Sequence, residues 1–408
     1  MIDPMSVPDT VTVAAVGDIQ LHGRYRDAAR SGDAAGFFVP LKRLLDGVDI
    51  GIGNMETVLA DECAPRRDKL CLLSAPAYAP ILRDAGLNVM TVANNHFLDY
   101  GADGVAATLR HLGQAGIRAV GGGLDLNAAT LPAVVEQYGI RLGFLAACHE
   151  STGVTEFASA SSPGAAPLSP ETLLPAIAAL KSQVDHVIVL LHWGLEYSHV
   201  PTPEQVALAH AVIDQGASAI LGHHSHVIQG IEHYGDGVIA YSLGNLTDAP
   251  VDWQGPTRHY QCGVDEVDRE SILLKLAVSK QRVRLGEVIP LWLDDEGRPT
   301  AASGARGEKI LKSVDEYSAM LRDRDLERYW RETVIGSRVA APLVSWWREG
   351  SLWDKIRNFR PGQLLSAWLL LRTWLELKFS RSESRWRLFN SRNDTRPMPS
   401  ARREKGDD

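Results

Sequence analysis

Short polar segments with acids, amides and histidines follow apolar runs at six places in the first 245 residues. The segments are Gly17-Asp18, Gly53-Asn54-Met55-Glu56, Asn94-Asn95-His96-Phe97-Leu98-Asp99, His192-Trp193-Gly194-Leu195-Glu196-Tyr197, Gly222-His223-His224-Ser225-His226 and Ser242-Leu243-Gly244-Asn245. Apolar runs of this kind predict strands, and sites in open α/β sheets assemble at the carboxyl ends of strands. The six segments therefore predict one functional site.

The chemical types in these segments predict a site for one or two divalent ions. Carboxylate, amide and imidazole groups suit Mn, Zn, Fe or Mg. The predicted ligands are Asp18, Glu56, Asn95, His192, His224 and His226. One carboxylate can bridge two ions, and the His224-x-His226 spacing places both rings on one side of an extended segment. Two ions about 3.5 Å apart would hold a hydroxide at neutral pH and stabilise a tetrahedral oxyanion.

His96 is left over from this ligand set and is predicted to be a general acid or base. Asp99, three residues later, can fix the tautomer of its ring. Each residue alone has a simpler explanation: Asp18 as a helix cap, Asn94 as part of a turn, or His192 as a core histidine. The histidines from 223 to 226 fit such explanations least, because unpaired buried imidazoles are costly.

Apolar runs alternate with helical patterns up to about residue 245, which is typical of a layered α/β domain. The predicted strands are 10–16, 49–53, 87–93, 140–147, 186–191, 219–221 and 238–242, with a late hairpin at 271–278 and 281–289. The predicted helices are 76–85, 103–115, 170–182 and 203–215. Residues 151–170, rich in Ser, Gly, Ala and Pro, predict a long surface loop with a possible lid role.

The composition changes near residue 303, after which seven of the ten tryptophans occur. We predict a disordered N-terminus at 1–9, a catalytic domain at 10–302, a Trp-rich helical module at 303–380 and a charged, disordered tail at 381–408. Residues 363–379 are apolar but interrupted by charges and too short to span a bilayer, and the segment 363–387 could instead lie on a membrane surface. For this segment we favour packing on the main domain over contact with a membrane surface.

The overall composition is that of a globular protein. The net charge of -8 over 408 residues argues against nucleic-acid binding. Four scattered cysteines favour free thiols over a disulfide framework. The N-terminal residues lack the pattern of a secretory signal, so a cytoplasmic location is expected.

Taken in order, the six segments resemble the motif set of the CapA (poly-γ-glutamate capsule synthesis) family over residues 10–250. The resemblance implies a calcineurin-like metallophosphoesterase fold, a four-layer αββα sandwich around a dinuclear site formed by the ligands named above. His96 would protonate a leaving group, while Glu196 and Tyr197 would lie in or near the substrate pocket. We further expect His223 to be catalytic, and substrate contacts from Asn54, Asn94, Trp193 and Asn245.

Three functions are compatible with this reasoning. The first is a metal-dependent enzyme acting on a poly-γ-glutamate-like or peptide-like polymer, in capsule biosynthesis or in amide or phosphoester hydrolysis. The second is a peptide-tailoring enzyme, such as an epimerase of a ribosomal peptide, for which His acid–base chemistry makes the metal dispensable. The third is a non-catalytic binding protein, which the histidine cluster makes the least favoured.

Overall fold

The computed structural model describes residues 9–67, 69–154, 156–254, 259–322, 326 and 330. These residues form two large sheets connected by helices. The strands are β1 Thr10–Ile19, β2 Ile50–Met55, β3 Val58–Leu59, β4 Leu73–Ser74, β5 Leu87–Thr91, β6 Arg118–Val120, β7 Gly122–Gly123, β8 Ala133–Gln137, β9 Ile140–Cys148, β10 Gly164–Ala165, β11 His186–His192, β12 Ala219–His223, β13 Ile231–Tyr234, β14 Gly237–Ala240, β15 Asn245–Thr247, β16 Val251–Gln254, β17 His259–Cys262, β18 Glu270–Ser279, β19 Val283–Leu293 and β20 Pro299–Ala301. The α-helices are α1 Arg24–Ser31, α2 Val39–Leu44, α3 Tyr78–Asp84, α4 Gly101–Gln114, α5 Leu126–Thr130, α6 Pro170–Lys181, α7 Pro203–Asp214 and α8 Gly304–Leu321.

The first large sheet has the strand order β20-β19-β18-β1-β2-β5-β6, and β15 pairs with the end of β1. β1, β2, β5 and β6 are parallel, whereas β18 and β19 are antiparallel to their neighbours. β1 thus joins a parallel half to an antiparallel half, and its carboxyl end meets those of β2 and β5.

The second large sheet has the order β13-β14-β12-β11-β9-β8, with β9, β11, β12 and β14 parallel. Every residue of β11 is buried. A central parallel strand is covered on both faces, which explains its continuous apolar sequence.

The two sheets pack face to face over one shared core. Val13 and Ile52 from the first sheet join Ile188 and Leu221 from the second in this core. The other face of the second sheet packs against α6 and α7 in a separate core, and α3 and α4 lie against β5 and β6 of the first sheet. The layers follow the order αββα, which confirms the predicted fold class.

The predicted strands and helices are all present, with ends displaced by a few residues. The predicted surface loop 151–170 differs most from the structure. It contains a short 3₁₀ turn, Glu150–Thr152, and the strand β10, which pairs with β7. Ala165 and Ala166 are buried there, because their small side chains fit against the body of the domain.

Helix α8 packs against β13 and β19 and buries Ile310 and Val314. The chain divides into units Met1–Trp330 and Arg331–Asp408, so the structure divides it later than the predicted boundary at 303. The second unit lies outside the described residues, and so do most of the predicted module 303–380, the tail 381–408 and the segment 363–387. Residues 1–8 of the predicted disordered N-terminus also lie outside them.

The four cysteines are free, as predicted. Among the described residues, no helix has the length and apolarity needed to cross a membrane.

Candidate metal centre

The carboxyl ends of strands from both sheets meet at one place. In the first sheet, Asp18 is in register with Asn54 on β2 and with Asn245 on β15. In the second sheet, His192 on β11 is in register with His223 on β12. The sheets face each other, and His223 Nδ1 lies 3.1 Å from Asp18 Oδ1.

Asp18 is fully buried and surrounded by hydrogen-bond donors. Its Oδ1 accepts from Asn54 Nδ2 at 2.8 Å, and its Oδ2 accepts from the backbone N–H of His224 at 3.0 Å. Burial alone would raise the pKa of the Asp18 carboxyl, but hydrogen bonds from His223 and His226 hold that pKa well below its usual range. Asp18 is therefore ionised at neutral pH.

Glu56 is also fully buried, but it is poorly satisfied. Its Oε2 accepts from Gln20 Nε2 at 3.1 Å. Its Oε1 has no hydrogen-bond partner among the described residues, although His192 Nε2 lies 3.5 Å away. Burial raises the pKa of Glu56 well above its usual range, and the charge of Asp18 raises it further.

A chain of buried amides fixes the positions of these groups. Asn54 Nδ2 donates to Asp18 and also lies 3.2 Å from His192 Nδ1. Asn54 Oδ1 accepts from Asn94 Nδ2 at 3.0 Å, and Asn94 Oδ1 accepts from the backbone N–H of His96 at 3.1 Å. The two amides thus connect the first three strand ends of the site.

His192, the last residue of β11, lies close to Asn95, which follows β5. His192 Nε2 lies 2.9 Å from Asn95 Oδ1. Because Asn54 supplies an N–H to Nδ1, the neutral ring has its proton on Nε2. Burial lowers the pKa of His192 well below its usual range, and the nearby His224 lowers it further.

His224 and His226 lie on a strained turn directly after β12. Their φ angles are 92° and 60°, in the left-handed region that few non-glycine residues adopt. Such strain costs about 1–3 kcal/mol for each residue and concentrates at functional sites. His226 Nδ1 lies 2.9 Å from Asn245 Oδ1, whereas His224 Nδ1 has no hydrogen-bond partner among the described residues.

The two rings differ in charge. Burial lowers the pKa of His224 to about 3, so this imidazole is neutral. Burial also acts to lower the pKa of His226, but the charges of Glu56 and Asp18 outweigh it and raise that pKa well above its usual range.

Glu56, His224 and His226 each offer a ligand atom, and these atoms lie within 4.8 Å of one another. All three residues are buried, and Glu56 Oε1 and His224 Nδ1 are unpartnered among the described residues. A buried polar atom without a partner costs about 1–3 kcal/mol, and a cation would relieve that cost for both atoms at once. The donor set of carboxylate oxygen and imidazole nitrogen therefore fits a divalent metal.

His96 lies beside this cluster with its ring held by Asp99. His96 Nδ1 lies 2.7 Å from Asp99 Oδ2, and Asp99 is fully buried. Burial lowers the pKa of His96, against the raising effect of Asp99. The ring is thus oriented with Nδ1 toward the carboxylate, as the sequence predicted for this pair.

Comparison with known proteins shows which family this chain matches. Residues 12–249 match the model of the bacterial capsule synthesis protein PGA_cap family. The chain belongs to this family. It is 32% identical over 315 residues to the PGA biosynthesis protein CapA of Bacillus subtilis (strain 168), covering 76% of this chain and 79% of that one. It is 30% identical over 305 residues to the capsule biosynthesis protein CapA of Bacillus anthracis, covering 73% and 71%.

Among solved structures, the calcineurin-like phosphoesterase YfkN from Bacillus subtilis is similar, with a TM-score of 0.39 and 13% identity. The similarity covers 76% of this chain and 97% of that one.

In this PGA_cap chain, the six predicted ligands and the predicted catalytic His96, Asp99 and His223 lie at the converging strand ends. Glu196 and Tyr197 are exposed beside them. The ring of Tyr197 lies 6.1 Å from that of His226, and the charge of Glu196 raises the pKa of His226. The catalytic and metal-binding roles of these residues stay predictions.

The predicted substrate-binding residues are mostly buried. Asn54, Asn94 and Asn245 use their amides on other site residues, as described above. Trp193 lies in the core between the second sheet and its helices, where its Nε1 donates to the carbonyl of Tyr241 at 3.1 Å. Their substrate contacts stay predictions, and this burial favours a positioning role instead.

Three further residues of the site are not among those predicted. Gln20 donates to Glu56, and Lys69 Nζ lies 2.7 Å from Asp99 Oδ1. His149 lies close enough to His224 to lower its pKa. His149 directly follows β9, so the strand-end rule could have identified it. Lys69 lies in a segment without periodicity, and nothing local in the sequence marks it.

Proposed function

We propose that this CapA-family chain is a divalent-metal-dependent enzyme that acts on a poly-γ-glutamate-like polymer. The observation that carries the proposal is the convergence of Glu56, His224 and His226, among which Glu56 Oε1 and His224 Nδ1 are buried without a hydrogen-bond partner among the described residues. The substrate class is suggested by the relatives, one of which is named a PGA biosynthesis protein. Another, from Mycobacterium tuberculosis, is named a probable polyglutamine synthesis accessory protein and is 34% identical over 224 residues.

The metal would be held by the cluster of Glu56, His224 and His226, with Asp18, Asn95 and His192 as the adjoining ligands. When bound, such an ion supplies Lewis acidity toward an oxygen of the substrate.

The chain's own acid–base group is His96. Because Asp99 binds its Nδ1, Nε2 is the atom left for proton exchange. The lowered pKa of His96 keeps the ring neutral at pH 7, so Nε2 can accept a proton from the attacking water. The same atom can return that proton to the amide nitrogen as the γ-amide bond breaks.

The mouth of the site supplies a contact for the polymer. Tyr197 is 41% exposed, and its backbone N–H donates to the carbonyl of Ser225 in the turn of His226 at 2.8 Å. We infer that the Tyr197 ring packs on the extended chain of the substrate, while the buried residues act on one amide bond.

The test is cleavage of poly-γ-glutamate by the full chain, measured as newly formed amino ends with Mn, Zn or Fe added after EDTA treatment. We expect metal-dependent cleavage that falls by about 100-fold or more in His96→Gln, the usual scale of general acid–base catalysis. Glu56→Gln should abolish the metal-dependent cleavage, because it removes a proposed metal ligand. His210→Gln is a matched control, because His210 lies on α7 and pairs with Glu232 at 3.0 Å.

Absence of cleavage with every metal would refute the hydrolytic proposal. Incorporation of solvent deuterium at a peptide Cα without cleavage would instead support the alternative function of a peptide epimerase.

A further inference from the structure

We propose that Lys69 is a positioning residue that holds Asn95 and the His96–Asp99 pair as one unit. The inference rests on the proposed function, since it concerns a ligand and the acid–base pair assigned there. It adds a charged residue, Lys69, that lies outside all six sequence motifs of the site, between the second and the third.

Lys69 contacts both Asp99 and Asn95. Its Nζ lies 2.7 Å from Asp99 Oδ1 and donates to the backbone carbonyl of Asn95 at 2.5 Å. Asp99 is fully buried, and the Lys69 side chain is 21% exposed. A buried carboxylate needs such a partner, because an uncompensated buried charge is strongly unfavourable.

The two oxygens of Asp99 have separate tasks. Oδ2 faces His96 Nδ1 at 2.7 Å and accepts from the backbone N–H of Leu72 at 2.7 Å. Oδ1 faces Lys69. Without the ammonium group, Oδ1 would be left buried without a charged partner, and the carboxylate would rotate. That rotation would alter the hydrogen bond that orients His96.

The segment that provides Lys69 is anchored independently of its side chain. The backbone N–H of Arg66 donates to the carbonyl of Asp99 at 2.8 Å, and Cys71 Sγ lies 3.3 Å from the same carbonyl. Together with the hydrogen bond from the backbone N–H of Leu72 to Asp99 Oδ2, these contacts attach the segment around Lys69 to Asp99. The ammonium group is therefore not required to attach the segment, and its two acceptors are both site residues.

The experiment compares Lys69→Met, which keeps the length of the side chain without its charge, with Lys69→Arg in the full chain. The control is Lys42→Met, because Lys42 Nζ makes an exposed pair with Asp84 at 2.8 Å. Two readouts need no substrate. One is the downfield imidazole N–H proton resonance of His96, identified by its absence in His96→Gln. The other is Mn²⁺ affinity after EDTA treatment, measured by calorimetry.

We expect Lys69→Met to shift or remove the His96 resonance and to weaken Mn²⁺ binding about tenfold or more, the usual effect of losing a residue that orients a ligand. Lys69→Arg should keep the His96 resonance and the Mn²⁺ affinity of wild type, and Lys42→Met should change neither readout. Wild-type values for both readouts in Lys69→Met would overturn the proposal. If Lys69→Met fails to fold, Lys69→Gln replaces it and is judged by the same readouts. Because neither readout requires turnover, the result stands even if poly-γ-glutamate is not cleaved.

Discussion

Glu56→Gln should stabilise the metal-free protein and destabilise it relative to wild type when Mn²⁺ is present. In the metal-free state the Glu56 carboxyl is fully buried beside Asp18, and its Oε1 lacks a hydrogen-bond partner among the described residues. Glutamine removes the charge and keeps the shape, and its oxygen can still accept from Gln20. The variant therefore no longer buries a carboxylate beside Asp18.

The size of the effect follows from these contacts. An unsatisfied buried acceptor costs about 1–3 kcal/mol. A gain of about 2 kcal/mol corresponds to a rise in Tm of about 4–8 °C for a domain of 150–250 residues. The unit that contains Glu56 is larger, so its rise in Tm should lie at the low end of this range. Burial raises the pKa of Glu56 in the folded state. The advantage of the variant should therefore be absent below about pH 4, the ordinary Glu range, and grow as the pH rises toward the folded-state pKa.

The assay is thermal unfolding of both proteins in EDTA and in Mn²⁺, at pH 5 and pH 7.5. At 100 times its Kd, Mn²⁺ should stabilise wild type by about 2.7 kcal/mol, and the variant by much less. Glu232→Gln is the control, because Glu232 is satisfied by His210 and by the hydroxyl of Tyr241, which donates at 2.7 Å. That control should lose stability with and without metal. A variant that is less stable than wild type in EDTA, or that gains as much from Mn²⁺, would refute the reasoning.

Two further predictions concern the backbone of the site. A Cβ at Gly17 would lie 1.8 Å from the carbonyl oxygen of Gly244, so Gly17→Ala should lower the free energy of unfolding by about 3 kcal/mol or more, measured in urea. Gly113→Ala is the control on α4, where nothing lies within 4 Å, and it should stabilise by about 0.5–1 kcal/mol. His224→Gly should be about 1 kcal/mol more stable than His224→Ala in EDTA, because only glycine adopts a φ of 92° without strain. Equal stability of these two variants would show that the turn after β12 is unstrained.

The sequence was sufficient for the fold and for the segments that form the site. The parallel strands of the site end in polar residues or are followed by them within a few positions, and parallel strands bring their ends to one edge whatever their separation in the chain. That is why Asp18, Asn95 and His224 could be predicted to converge. The sandwich order was implied by the family resemblance and not by the strand pattern, which is compatible with several layered α/β folds.

The sequence did not indicate which polar residues face the site and which support it. Asn54 and Asn94 are the same residue type as the predicted ligand Asn95, and only their hydrogen bonds indicate a supporting role. Trp193 follows β11 directly, but the strand alternation turns its ring into the outer core. Lys69 reaches Asp99 from a loop whose path depends on tertiary contacts, and no local pattern encodes such a path.

Several energetically unfavourable features lie together in a few residues of the site, and this clustering argues for a bound ligand. Asp18 and Glu56 place two carboxyl groups in one buried space, His224 presents an unpartnered nitrogen, and the turn through His226 has left-handed backbone. Each cost alone is about 1–3 kcal/mol, which a domain of this size can tolerate. Accidental strain would be scattered through the loops, whereas these costs adjoin the three ligand atoms that lie within 4.8 Å of one another. A cation bound among them would relieve the carboxyl repulsion and supply a partner for the His224 nitrogen at the same time.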